Sequence, residues 1–142
     1  MKVSSILATK GMNVVTIRPE QSLKEAVALL IQYNIGALVA VDETGKPVGI
    51  LSERDIVREA ARSGDVVNPK VQQVMTKDVI AASPHDDLES VMHTMTNRRF
   101  RHLPIMDQGN LAGIVSIGDV VKALVDRYQG EIVTLQNQLT QG

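Results

Sequence analysis

At 142 residues, 44 % of them apolar, the chain is long enough for one compact domain or two closely packed halves. A net charge of −1 gives no global electrostatic footprint for DNA or RNA, and an aromatic content of 2 % argues against a stacking platform for single strands. There is no cysteine, hence no disulfide, thiolate zinc site or cysteine nucleophile, and no apolar run approaches the roughly 20 residues that span a bilayer. The opening MKVSSILATKG has too short an apolar stretch for an export signal, so the cytoplasm is the expected compartment.

In chain order, residues 3–10 fit a short helix stopped by Gly11. Residues 14–17 fit a short strand closed by Pro19. Ser22 and Glu25 have capping-box spacing, in which hydroxyl and carboxylate each satisfy an opening backbone amide. Leu23, Ala26, Val27, Leu30 and Ile31 then follow at helical spacing. Residues 37–41 are an unbroken apolar run, suited to a strand buried on both faces. Asp42 and Gly45 mark a turn, residues 48–51 return as a strand, and a helix follows Ser52 with Ile56, Val57 and Ala60 on its inner side. After the polar stretch 62–68, residues 71–75 suggest another short helix. Asp87 opens a helix with Leu88, Val91, Met92 and Met95 inward, and Gly109 makes a second turn. Finally Val121, Leu124, Val125, Tyr128, Ile132, Leu135 and Leu139 recur at three- and four-residue steps. They predict an amphipathic tail helix, open to a break near Gly130, whose apolar stripe needs a partner.

The same order occurs twice. Pro19 aligns with Pro84, Leu23 with Leu88 and Asp42 with Asp107. Past a one-residue deletion in the turn, Gly45 aligns with Gly109, Gly49 with Gly113, Ser52 with Ser116 and Asp55 with Asp119. A duplicated unit that cannot close its own core packs on its copy, and the cleft between packed units is a place for small molecules. The expected fold class is α/β, two strand–helix–strand–strand–helix repeats packed with pseudo-twofold symmetry. Repeat 1 with its lead-in is expected over 1–66, repeat 2 over 67–127 and the tail helix over 128–142.

The chemistry-bearing segments are Gly49-Ile-Leu-Ser52-Glu-Arg-Asp55 and Gly113-Ile-Val-Ser116-Ile-Gly-Asp119. Ser at a helix N-cap with Asp three residues on can simply satisfy orphan backbone donors. The same geometry also presents free N–H groups and a hydroxyl to a phosphate, and an acceptor-only carboxylate to paired ribose hydroxyls. A basic cluster, Arg98, Arg99, Arg101 and His102, precedes the apolar strand of the second copy. Arg101 and His102 should border the cleft, where a guanidinium fork fits a phosphate. Gly36 and Ala37 hold the matching positions of the first copy and leave space there. No HExxH, GxSxG, Walker or GxGxxG motif occurs, and the histidines lack metal-ligand spacing. No catalytic residue is assigned, and the chain is not read as an enzyme.

These segments, with Ile35-Gly-Ala-Leu-Val-Ala-Val-Asp42 and Arg101-His-Leu-Pro-Ile-Met-Asp107, resemble the cystathionine-β-synthase (CBS) domain family arranged as a tandem pair, or Bateman module. The likeness covers almost the whole chain and is greatest to small stand-alone prokaryotic members. It implies a regulatory module that binds AMP, ADP or ATP, or alternatively NAD(H) or S-adenosylmethionine, in clefts built from both repeats. The nucleotide would be an effector, with no catalytic cofactor and no metal. In one cleft, expected to be the better, the resemblance implies that Ser116 and Asp119 hold ribose and phosphate while Arg101 and His102 face the phosphate. Thr16, Ile17, Gly36 and Ala37 would border the adenine, and Ile114 would pack on it. The other cleft would use Ser52 and Asp55, with Ala81 and Arg101 near the base. It is expected to be weaker, because Ala81 replaces the Thr at position 16 and Gly36-Ala37 brings no cation, with Glu53 and Arg54 placed to compensate or obstruct. Lys10 and Lys77 are expected to be solvated rather than phosphate contacts. The family resemblance further implies a homodimer and a regulated protein partner that the sequence does not name. Two other readings stand beside this one. The first is a ligand-free structural or interaction module whose Ser/Asp pairs only cap helices. The second is a nucleic-acid binder, disfavoured by the small size of the basic cluster.

Overall fold

The computed structural model describes residues 1–11 and 14–141. Helix α1 (Val3–Lys10) ends at Gly11, whose φ of 95° suits a residue without a side chain. The first repeat comprises β1 (Thr16–Ile17), α2 (Leu23–Tyr33), β2 (Ala37–Val41), β3 (Pro47–Ser52) and α3 (Glu53–Ser63). Strand β2, buried along its whole length, is the centre of a three-stranded sheet, parallel to β1 and antiparallel to β3. The turn between β2 and β3 is held by the Asp42 carboxylate, which accepts from the amides of Thr44 and Lys46 and from the Thr44 hydroxyl. Helix α4 (Val71–Val74) lies between the repeats.

The second repeat repeats the order with α5 (Leu88–Arg98), β4 (His102–Asp107), β5 (Asn110–Ser116) and α6 (Ile117–Gln141). Its sheet is a two-stranded antiparallel ribbon, and a single parallel bridge from Ala82 to Ile105 stands where β1 stands in the first. Asp87 caps α5 by accepting from the amides of Glu89 and Ser90.

Each repeat completes its core with a helix from outside itself. Val3, Ile6 and Leu7 of α1 pack among Leu88, Val91, Met95, Leu103, Ile105 and Val115 of the second repeat. Val71 of α4, with Val74 and Met75, packs among Leu23, Leu30, Leu38 and Leu51 of the first. The backbone bonds of the two exchanges match one for one. The Val3 and Ser4 amides donate to the carbonyls of Asp86 and Pro84, and the Val71 and Gln72 amides donate to those of Gln21 and Pro19. In turn Leu88 donates to Met1 and Leu23 to Pro69, so each lead-in also satisfies an opening amide of the helix it meets. The lead-in expected with repeat 1 therefore lies in the core of repeat 2.

The exchange explains the glycine that opens each Ser/Asp segment. A Cβ on Gly113 would stand 2.6 Å from a methyl of Leu7, and one on Gly49 would collide with the thioether of Met75. A side chain at either glycine would have to push the end of Leu7 or Met75 aside.

Three expectations change. Glu25 does not complete the capping box of α2, because its carboxylate accepts from Gln21 Nε2 at 2.6 Å while Ser22 alone caps the Glu25 amide. On α3, Val57 and Ala60 face outward, and the buried residue is Glu59, tied to Arg62 and Ser63. No break occurs at Gly130, since α6 runs unbroken from Ile117 to Gln141, with Gly142 outside the described residues. The tail is thus the end of the last helix of repeat 2 rather than a separate element.

Gly49→Val should cost about 1–3 kcal/mol of unfolding free energy through overpacking, measured by urea denaturation, and the cost should shrink in a Met75→Ala background. An equal cost in both backgrounds would show that Met75 is not the obstacle.

Candidate functional site

Both Ser/Asp segments fold the same way. A buried strand ends at the serine, the chain turns, and the serine becomes the N-cap of a helix whose third residue is the aspartate. Ser52 Oγ accepts from the Asp55 amide at 3.3 Å, while Asp55 Oδ2 accepts from the Ser52 amide at 3.0 Å and its hydroxyl at 3.1 Å. Ser116 and Asp119 form the same box at 3.1 and 2.9 Å. The carbonyls just before the paired strands are also equivalent: Gly36 accepts from Glu53, and Arg101 accepts from Ile117. Strand pairing then sets Ala37 beside Ser52 and His102 beside Ser116.

The lead-ins make the two boxes chemically different. The end of α1 delivers Lys10, whose ammonium lies 2.7 Å from Asp119 Oδ2 and 3.0 Å from the Ile114 carbonyl oxygen. Burial by itself would raise the Asp119 carboxyl, but the Lys10 ammonium and the Ser116 amide outweigh it and hold the group below the ordinary carboxylate range. Lys10, expected to be solvated, is thus engaged. The segment after α4 delivers Thr76 to the other box. Its backbone pairs both ways with Ile50, and its hydroxyl lies 3.4 Å from Asp55 Oδ1. Asp55 forms no ion pair among the described residues.

A cavity of about 230 Å³ opens beside Ser52 and Asp55. Ile50, Val79, Ile80 and Phe100 supply apolar wall, and Arg54, Arg58, Arg99 and Arg101 supply charge. Arg54 and Arg58 stand one helical turn apart on α3, and Arg99 is the left-handed C-cap of α5, with φ of 57°. None of these four arginines forms an ion pair among the described residues. The other carboxylate in the wall, Asp78, is already paired at 3.7 Å with Arg98, whose guanidinium lies 5.7 Å above the Phe100 ring. The cavity therefore carries net positive charge.

Arg101, expected at both clefts, and His102 line the cavity of Ser52 and Asp55, and His102 also stands beside Ser116 in the field of Lys10 and Asp119. The surroundings of His102 favour its neutral imidazole. Burial, then the Lys10 charge, hold its imidazole below its ordinary value despite Asp119 and Asp55 nearby. In that form it offers a hydrogen bond, not a charge.

The remaining residues divide. Gly36 and Ala37 lie at the start of β2 next to Ser52 and Glu53, Ile17 is buried, and Thr16 is exposed on β1. Ile114, half-buried opposite Pro104, stays with Ser116, Asp119 and Lys10. Ala81 is not in the Ser52–Asp55 cavity. It borders a separate hollow of about 200 Å³ with Asp86, Asp87 and Ser90, while its neighbour Ile80 reaches the charged one. Sequence reasoning missed Arg58 and Thr76. The four-residue step from Arg54 to Arg58 was a readable signal; nothing in the local pattern revealed that Thr76 would meet Asp55. Among the described residues no helix is long and apolar enough to cross a membrane, and no cluster of side chains suits a metal ion.

Comparison with known proteins agrees with this architecture. The CBS domain matches residues 3–62 and 71–126, and the chain belongs to that family as a tandem pair. It is 36 % identical to the CBS domain-containing protein YhcV of Bacillus subtilis, over 93 % of this chain and 94 % of that protein. Among solved structures it is similar to the CBS-domain containing protein ATU1752 from Agrobacterium tumefaciens, with a TM-score of 0.82, 42 % identity and coverage of 87 % and 98 % of the two chains. It is also similar to the CBS domain pair of protein MJ0100 in complex with 5′-methylthioadenosine and S-adenosyl-L-methionine, with a TM-score of 0.79, 28 % identity and coverage of 89 % and 98 %.

A histidine whose folded-state pKa is depressed contributes stability that is complete above its unfolded value, and that stability fades as pH falls through the folded value. Acidification below pH 6.5, the ordinary imidazole value, should therefore destabilise the native chain more than a His102→Gln variant. Urea denaturation across that range checks this, and parallel losses in both proteins would contradict it.

Proposed function

We propose that this CBS pair is a regulatory sensor that binds an adenosine-containing nucleotide, with AMP, ADP or ATP favoured, at the Ser52–Asp55 cavity. The observation that carries the proposal is the meeting, in one cavity, of a carboxylate without a cationic partner and four arginines without anionic ones. An ionised Asp55 can only accept, which suits the paired hydroxyls of a ribose. Ile50, Val79 and Ile80 offer flat apolar contact to a base. The arginine forks suit phosphate. At about 230 Å³ the cavity is smaller than the 300–1,000 Å³ usual for ligand sites. The nucleoside would sit inside and the phosphates at the rim, among exposed arginines. The MJ0100 complex supports the adenosyl end of this reading. The arginines favour a phosphorylated ligand over the cationic sulfonium of S-adenosylmethionine.

The cleft of Ser116 and Asp119, with Ile114, Gly36 and Ala37, is the second candidate site. A nucleotide there must first displace Lys10 from Asp119, so the Ser52–Asp55 cavity fills first. Ligand that touches both repeats favours one mutual arrangement of them, by no more than its differential affinity for the two arrangements. A homodimer would pass that shift to a protein partner. The ligand-free reading keeps one observation in its favour: both aspartates do cap their helices.

Thermal shift with AMP, ADP, ATP, NAD(H) and S-adenosylmethionine, against guanosine compounds, separates the readings. An adenine nucleotide at 100 times its Kd should add about 2.7 kcal/mol of stability. Asp55→Ala should lose about 0.5–2 kcal/mol as a missing cap and lose the nucleotide increment as well, while Asp119→Ala keeps the increment. Arg58→Ala should weaken AMP and ATP more than adenosine. If no nucleotide stabilises the native chain, the aspartates are caps and nothing more.

A further inference from the structure

The apolar stripe of α6 leaves the globule as it runs outward, starting beside α5, where the Tyr128 hydroxyl donates to Glu89 at 3.4 Å. Val121, Val125, Tyr128, Ile132, Leu135 and Leu139 rise from 42 % to 81 % exposed along the helix. Their steps of four, three, four, three and four residues are those of alternating d and a positions in a heptad. Val125, Ile132 and Leu139 fall at a; Val121, Tyr128 and Leu135 fall at d. Gly130 falls at f, away from the seam, which is why it interrupts neither the helix nor the stripe.

We propose that this seam pairs, parallel and in register, with the same seam of a second copy, forming a short two-stranded coiled coil. The inference rests on the homodimer reading above and is independent of the nucleotide. Two observations select a second copy as the occupant. The positions flanking the seam are nearly uncharged: Lys122, Gln129 and Gln136 at e, Leu124, Glu131 and Gln138 at g. A different helical partner chosen by charge would find little to read there. In a parallel pair each g residue meets the e′ residue five positions on, so Leu124 faces Gln129 and Glu131 faces Gln136, with no like charges opposed. β-Branched Val125 and Ile132 at a, with Leu135 at d, also favour two parallel strands. The seam is continuous with a groove between α5 and α6 lined by Met92, Val121, Leu124 and Val125, so the pairing begins on the globule and runs outward.

The chain has no cysteine of its own, so single introduced thiols report the pairing directly. Tyr128→Cys and Leu135→Cys should each give a disulfide-linked dimer under mild oxidation, because d positions of a parallel pair face each other and a disulfide spans Cα atoms about 4.4–6.8 Å apart. Asn137→Cys, at an outer position, should not. An antiparallel pair can bring at most one of positions 128 and 135 to its own copy, so crosslinking at only one overturns the parallel seam. Ile132→Asp should halve the mass in sedimentation while leaving the thermal unfolding of the globule in place. A native chain that sediments as a monomer overturns both the seam and the homodimer reading. A dimer unchanged by Ile132→Asp and without crosslinks overturns the seam alone.

Discussion

The exchange of lead-in helices is the constraint on which the rest of this structure depends. Neither repeat closes its core alone: α1 is buried in the second, and Val71 with its neighbours in the first. Matching backbone bonds at Val3 and Val71 fix both helices against the strand-to-helix turns they cap. The close approach of Leu7 to Gly113 and of Met75 to Gly49 locks each lead-in over the strand that ends at the functional serine. Lys10 at the end of α1 and Thr76 just past α4 carry this exchange into the clefts.

The same exchange breaks the symmetry of a duplicated sequence. The Ser/Asp boxes are near copies, with amide-to-carboxylate bonds of 3.0 and 2.9 Å. What reaches them differs, because α1 ends in Lys10 and α4 leads to Thr76. A cation fills the valence of Asp119, and its ion pair is partly exposed, so it adds little stability while occupying the carboxylate. A hydroxyl at 3.4 Å leaves Asp55 open to a better partner. One cleft is neutralised from within, and the other is left with excess positive charge.

Much of this was legible from the chain alone, for physical reasons. The repeat, the buried run of β2, the Asp42 turn, and the caps at Ser22, Ser52 and Asp87 are local patterns, and local bonds decide them. The inner face of α3 was misread because hydrophobicity points to Val57, whereas Arg62 and Ser63 let Glu59 take the buried place. The engagement of Lys10 with Asp119 was missed for a different reason. Which repeat receives a short lead-in is a property of topology, and neither the composition of α1 nor that of α4 encodes it. Without the exchange, Lys10 has no address and Asp119 looks free. The preference of His102 for its neutral form likewise follows from burial beside Lys10, which no single-residue reading supplies.

The central claim is that an adenine nucleotide enters beside Asp55 before it enters beside Asp119. A crystal structure of the chain grown with AMP tests it most directly. The account predicts ribose hydroxyls within hydrogen-bond distance of Asp55, phosphate among Arg54, Arg58, Arg99 and Arg101, and an intact Lys10–Asp119 pair. Nucleotide bound at Asp119 with Lys10 displaced, and the arginine cavity empty, would contradict it.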